Sequence, residues 1–117
     1  GNPKVVIKVS GTKNVAGKEI AALLDTGHSG TLSLPILDLV ELGAQLSSFG
    51  PVRLADGRTT TVYYFNVSVE IDGIKREIQA NMIENPKITE SIIGLELLAP
   101  YTATIDFKNK KIKLTVD

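Results

Sequence analysis

Residues 22 to 30 read Ala-Leu-Leu-Asp-Thr-Gly-His-Ser-Gly. Asp25-Thr26-Gly27 follows an apolar, strand-like run, so a carboxylate stands at the mouth of a buried strand beside a small hydroxyl residue and a glycine. Backbone donors hold such a carboxylate rigidly, and the glycine lets another main chain approach closely. General acid–base work on a bound substrate is the chemistry this suits. Asp, Thr and Gly are also common turn residues, so the triplet alone describes a strand end equally well. It gains weight from Ser91-Ile92-Ile93-Gly94-Leu95, where an apolar pair again meets a glycine. The two motifs suggest an internal duplication.

Placing those residues requires a frame, and the hydrophobic pattern supplies one that is mainly β. Val5 to Ser10 and Lys18 to Leu24 are β-rich runs joined by the polar stretch 11–17, which predicts a hairpin whose second strand delivers Asp25. A short run follows at Thr31 to Leu34. Pro35 then suits the first position of a helix, with Ile36, Leu37, Leu39, Val40 and Leu42 on one face and Gly43 as its stop. Val52 to Ala55 and Thr59 to Ile71 flank Asp56-Gly57, a strong hairpin signal, and Asp72-Gly73 marks a second turn before Ile74 to Ile83. The tail, Thr102 to Val116, predicts a closing hairpin around Lys108-Asn109-Lys110. One or two short helices complete the pattern.

With 117 residues, 43% apolar and 22% charged, residues 1–117 are expected to form a single domain with a modest core. The formal net charge is zero, which predicts no nucleic-acid partner. The apolar stretches are broken within a few residues by Lys, Asp or Glu, and no signal-peptide pattern stands out; no membrane partner and a cytoplasmic location are the expectation. The chain also fits a domain cut from a longer protein. Without cysteine there is no disulfide or thiolate chemistry, and one histidine argues against a zinc site within one copy.

The order and spacing of these parts resembles the retropepsin-like aspartic proteases of clan AA, the single-domain viral enzymes and their cellular and prokaryotic relatives. The resemblance covers most of the chain: an N-terminal hairpin into Leu23-Leu24-Asp25-Thr26-Gly27, a glycine-bearing flap at Asp56-Gly57, Ile92-Ile93-Gly94 opening the segment Leu95 to Ala99, and the closing hairpin. It implies a closed β-barrel of the acid protease type, with half an active site per chain. Peptide hydrolysis needs an acid and a base across one water, so the second carboxylate comes from another copy. A two-fold homodimer pairs Asp25 with Asp25 of the partner, and two carboxylates about 3 Å apart share one proton.

The resemblance further implies an aspartic endopeptidase without metal or other cofactor, acting on a peptide or unfolded protein. Thr26 would lock the two loops across the axis, and Gly27 would meet the substrate backbone, with His28 and Ser29 beside it. Ile92 and Ile93 would pack beneath the loop, and Gly94 would start a helix. The hairpin from Val52 to Tyr64, with Ala55, Asp56, Gly57 and Arg58 at its tip, would fold over an extended peptide in the manner of strand addition.

Three departures stand out. Asp56 and Arg58 make this flap tip more polar than the glycine-rich viral one. His28 follows the triplet where the family more often has Ala or Ser, either as a pocket wall or as a cation lowering the pKa of the dyad. Leu95 replaces the arginine that viral relatives place after the glycine, leaving apolar packing to brace the loop. Two competing functions follow from the same residues: a non-catalytic dimerisation or peptide-binding module on this fold, and a glycosidase pairing Asp25 with another acid of the same chain. The second lacks a matching motif and aromatic sugar platforms, with three Tyr, three Phe and no Trp. Lys108, Lys110, Lys111 and Lys113 fit a solvated strand edge better than a polyanion site. Tyr63, Tyr64 and Phe65 suit either subsites or packing beneath the flap.

Overall fold

The computed structural model describes residues 4–11, 17–25 and 30–116. Thr26, Gly27, His28 and Ser29 lie outside the described residues.

Strand β1 (Lys4–Gly11) alternates exposed and buried residues, with Val5, Ile7 and Val9 turned inward, as strict period-two patterning dictates. It pairs antiparallel with β2 (Lys18–Leu24) in the register Ile7↔Ile20, which brings Ile20 and Ala22 to the same interior. Strand β3 (Leu32–Pro35) is buried on both faces. Its one polar side chain there, Ser33, donates from Oγ to Asn81 Oδ1 at 2.7 Å, so burial leaves the hydroxyl satisfied.

Helix α1 (Ile36–Leu42) starts after Pro35 and stops at Gly43, whose φ of 63° closes the helix through N–H bonds to Leu39 and Val40 carbonyls. The predicted helix therefore forms, but its inward face is narrower than the sequence suggested. Leu39 and Leu42 are buried, whereas Ile36, Leu37 and Val40 are exposed. Seven residues make two turns, and only one stripe of them reaches the barrel. Lys18 of β2 holds the polar side of α1, pairing with Asp38 at 2.8 Å and with Glu41.

Strand β4 (Gln45–Arg53) begins well before the expected Val52 and forms a long hairpin with β5 (Thr59–Ile71). A bulge lies between Leu46 and Ser48, and Ser47 Oγ accepts a hydrogen bond from Gln79 at 2.7 Å. Strand β6 (Ile74–Ile83) returns antiparallel along β5 after the Asp72-Gly73 turn. Two residues form β7 (Ile92–Ile93), four form α2 (Leu95–Leu98), and β8 (Thr102–Asp106) with β9 (Lys111–Thr115) makes the closing hairpin.

The sheet runs β4-β5-β6-β3-β7-β2-β1-β9-β8, and an additional β5–β1 pairing, Val9↔Val69 among others, closes it. Six strands, β1, β5, β6, β3, β7 and β2, thus form a closed barrel, from which the β4 strand and the β8–β9 hairpin project. Its interior is filled by branched apolar side chains, among them Ile7, Val9, Leu32, Leu34, Val67 and Ile93, all at or near zero exposure. This is the mainly β closed barrel with two short helices that the sequence predicted. No described helix is long and apolar enough to cross a membrane.

Candidate active site

The barrel positions Asp25 through one unusual insertion. Strand β7 lies between β2 and β3, parallel to β2 through Leu23↔Ile92 and Leu24↔Ile93 and antiparallel to β3 through Leu32↔Ile93. Four backbone bonds tie the end of β2 and the approach to β3 to the residues in and around β7. Leu23 N–H donates to Ser91 O at 2.8 Å and Asp25 N–H to Ile93 O at 3.1 Å on the entry side. On the exit side, Gly94 N–H donates to Thr31 O at 2.9 Å and Glu96 N–H to Gly30 O at 3.3 Å.

The two sequence motifs are thus one structural unit. Ile93 is fully buried and Ile92 half-buried, while Gly94, also buried, is the N-cap of α2. Asp25 follows directly on the last residue of β2 and is exposed. A carboxylate on a backbone tied into a sheet, yet open to solvent, is placed to meet a substrate without losing its own anchoring.

Packing below this unit differs from the expectation for Leu95. Leu95 is exposed and Leu97 is fully buried, because residues two apart on a helix face nearly opposite sides. Leu97 supplies the apolar support, and Arg76 of β6 ties the helix down, donating from Nη1 to Leu97 O at 3.0 Å while its guanidinium lies 6.0 Å from the Tyr101 ring centroid.

A cavity of about 600 Å³ is lined by Gly30, Thr31, Val52, Val62, Tyr64, Ile78, Gln79, Asn81 and Glu96. The β4–β5 hairpin contributes Val52, Val62 and Tyr64, so it forms one wall. Its tip is a compact turn in which Leu54 N–H donates to Arg58 O at 2.7 Å and Gly57 N–H to Leu54 O at 3.0 Å. Gly57 has φ of 88°, a conformation that favours glycine. Asp56 accepts from the Arg58 backbone N–H at 3.0 Å and from Arg58 Nε at 2.6 Å, so the two charges neutralise each other within the turn. Ala55, Asp56, Gly57 and Arg58 are exposed at that tip and are not part of the cavity lining in a single copy.

The expected site residues thus fall into three groups. Asp25, Ile92, Ile93 and Gly94 are brought together; the tip residues 55–58 stand apart from them; Thr26, Gly27, His28 and Ser29 are outside the described residues. Sequence reading missed Thr31, Ile78, Gln79, Asn81 and Glu96, because the cavity gathers them from separate segments and no local pattern marks them. Val52, Val62 and Tyr64 carried a signal, as parts of the flap candidate.

Residues 10–97 match the family described as aspartyl protease. No curated protein matches the chain. Among solved structures, the chain is similar to EIAV protease complexed with the inhibitor HBY-793, with a TM-score of 0.61 and 16% identity over 85% of this chain and 86% of that one. At that identity the likeness shows a shared fold.

Proposed function

This chain belongs to the aspartyl protease family, and from that premise we propose that two copies join as a retropepsin-like endopeptidase whose paired Asp25 carboxylates activate one water. One observation carries the reading: Asp25 is exposed at the end of β2 with its N–H bound to Ile93 O, within the stretch that matches the family. A single copy supplies one such carboxylate, and the reaction needs two.

In the proposed dimer, one Asp25 takes a proton from the water as its oxygen attacks the peptide carbonyl carbon. The other Asp25, protonated, donates to the carbonyl oxygen. The tetrahedral diol then collapses: one hydroxyl returns its proton to the ionised Asp25 as the C=O re-forms, the C–N bond breaks, the departing nitrogen takes the proton of the other Asp25, and a carboxylic acid, an amine and a singly protonated dyad remain. Thr26 and Gly27 keep the roles the resemblance implies, locking the two loops and admitting the substrate backbone. His28, Ser29 and the tip residues 55–58 are proposed as substrate contacts, the tip reaching the peptide when the flap closes. An extended peptide along the β4–β5 hairpin would gain main-chain hydrogen bonds, with side chains alternating into pockets such as the 600 Å³ cavity.

Chain association is proposed through the closing hairpin. Strands β1 and β9 lie inside the sheet order, whereas β8 is its last strand and is exposed along its length. Incubating the protein with an unstructured protein substrate from acidic to neutral pH, beside Asp25→Asn and with a statine-type analogue, tests the reading. Cleavage lost in both controls supports it. A folded dimer that cleaves nothing would overturn it in favour of a binding or assembly module.

A further inference from the structure

The cavity that the β4–β5 hairpin walls has an uneven chemistry. Its walls are largely apolar, from Val52, Val62, Ile78 and the Tyr64 ring. Its polar side chains are mostly engaged within the protein: Thr31 Oγ1 donates to Gln79 O at 2.8 Å, Gln79 Nε2 donates to Ser47 Oγ, and Asn81 Oδ1 accepts from Ser33 Oγ. Glu96 is the exception. Among the described residues it is the one acidic or basic member of the lining, it is exposed, and it makes no ion pair with another of them. Of the charges on the hairpin, Asp56 and Arg58 pair with each other in their own turn, and Arg53, which follows the lining residue Val52 on β4, is exposed and outside the lining.

The backbone of Glu96 is also fixed, since its N–H donates to Gly30 O. The cavity thus joins apolar walls to one anionic group whose backbone is bonded to Gly30, at the start of the stretch leading into β3. A long aliphatic side chain ending in a cation matches both halves, its methylenes against Val62 and Ile78 and its charge at the carboxylate. A neutral side chain fills only the apolar part, and an acidic one meets a like charge.

We propose that Glu96 is a specificity-determining residue, selecting a lysine or arginine side chain in the bound peptide at the position that occupies this cavity. The inference rests on the protease reading for its substrate class. The pair it forms is solvated on one side, so the expected preference is roughly two- to fivefold in kcat/KM.

The test is a set of peptides in which each position flanking a cleaved bond is in turn lysine, norleucine or glutamate. Wild type is expected to favour lysine over norleucine, and norleucine over glutamate, at one position. Glu96→Gln should abolish the lysine advantage there, Glu96→Lys should turn it toward glutamate, and molar salt should shrink it. A wild-type enzyme that cleaves without favouring lysine at any position, or a lysine preference that survives both variants, would overturn the assignment. The same peptides bound to Asp25→Asn, and to Asp25→Asn with Glu96→Gln, read the preference without turnover. Selective binding lost in the double variant supports Glu96 even where wild type cleaves nothing, an outcome that would sink the protease reading alone; absence of any lysine-selective binding overturns the role of Glu96.

Discussion

The backbone N–H of Asp25 donates to the carbonyl of Ile93 at 3.1 Å, so the proposed catalytic residue is tied to a two-residue strand drawn from the other end of the chain. The side chain of Ile93 is fully buried beneath that bond. Replacing Ile93 with Ala is expected to cost about 2–5 kcal/mol of stability from lost burial and the cavity left behind. Activity should fall further than the folded fraction, because the segment it supports loses its seat. Denaturant titration beside kcat/KM, measured at a temperature where the variant is folded, separates the two effects.

Gly11 is held against the barrel's other end. A Cβ built there would stand 2.3 Å from the Leu42 carbonyl oxygen, a backbone atom that cannot swing aside. Gly11→Ala should therefore displace α1 from β1 and lower stability by about 1–3 kcal/mol. Urea unfolding checks this, and a variant as stable as wild type would contradict the close approach.

At the flap tip, Gly57 adopts φ of 88° with open space around the site of a Cβ. Gly57→Ala consequently meets backbone strain and no clash, with an expected cost of about 1–2 kcal/mol. Since the tip is proposed to close over substrate, the variant should also raise KM. A raised KM with unchanged unfolding would place the effect in closure and not in folding.

The predictions above rest on features that were unevenly visible in the sequence. Strands β1, β2 and β6 were legible because alternation and bounding turns define them locally. The first part of β4 was not, since Gly50-Pro51 interrupts it and nearly all its residues are exposed, leaving no alternation to read. Helix α1 was found, but Leu37 and Val40 were assigned to its buried face; apolar identity does not say which stripe the barrel covers. The Asp25 and Ile92-Ile93-Gly94 motifs were both recognised, yet their parallel pairing is a non-local contact that no short window encodes. Glu96 was overlooked for the same reason: its meaning comes from Val62, Ile78 and Tyr64 around it.

Lys18 gives a pH-dependent test of the α1 attachment. The hydrogen bonds it donates to Asp38 and then to Glu41 raise its pKa above the ordinary 10.5, against a smaller opposing effect of burial. A raised folded-state pKa means the stabilisation is complete below the unfolded value and is lost as pH rises through the higher folded one. Wild type should thus lose stability above about pH 10.5 relative to Lys18→Met. The pair is partly solvated, so the difference at neutral pH should stay below about 1 kcal/mol. Parallel stability curves for the two proteins through that alkaline range would contradict the ion pairing.

The central claim, that one active site takes an Asp25 from each of two copies, is tested most directly by subunit mixing. Wild-type protein is held at a fixed concentration where sedimentation shows a dimer, and about a ninefold excess of Asp25→Asn is allowed to exchange with it. Mixed dimers carry one carboxylate, so peptide cleavage should fall about tenfold. Undiminished cleavage after exchange has been verified would contradict the shared site and show that one copy's Asp25 suffices.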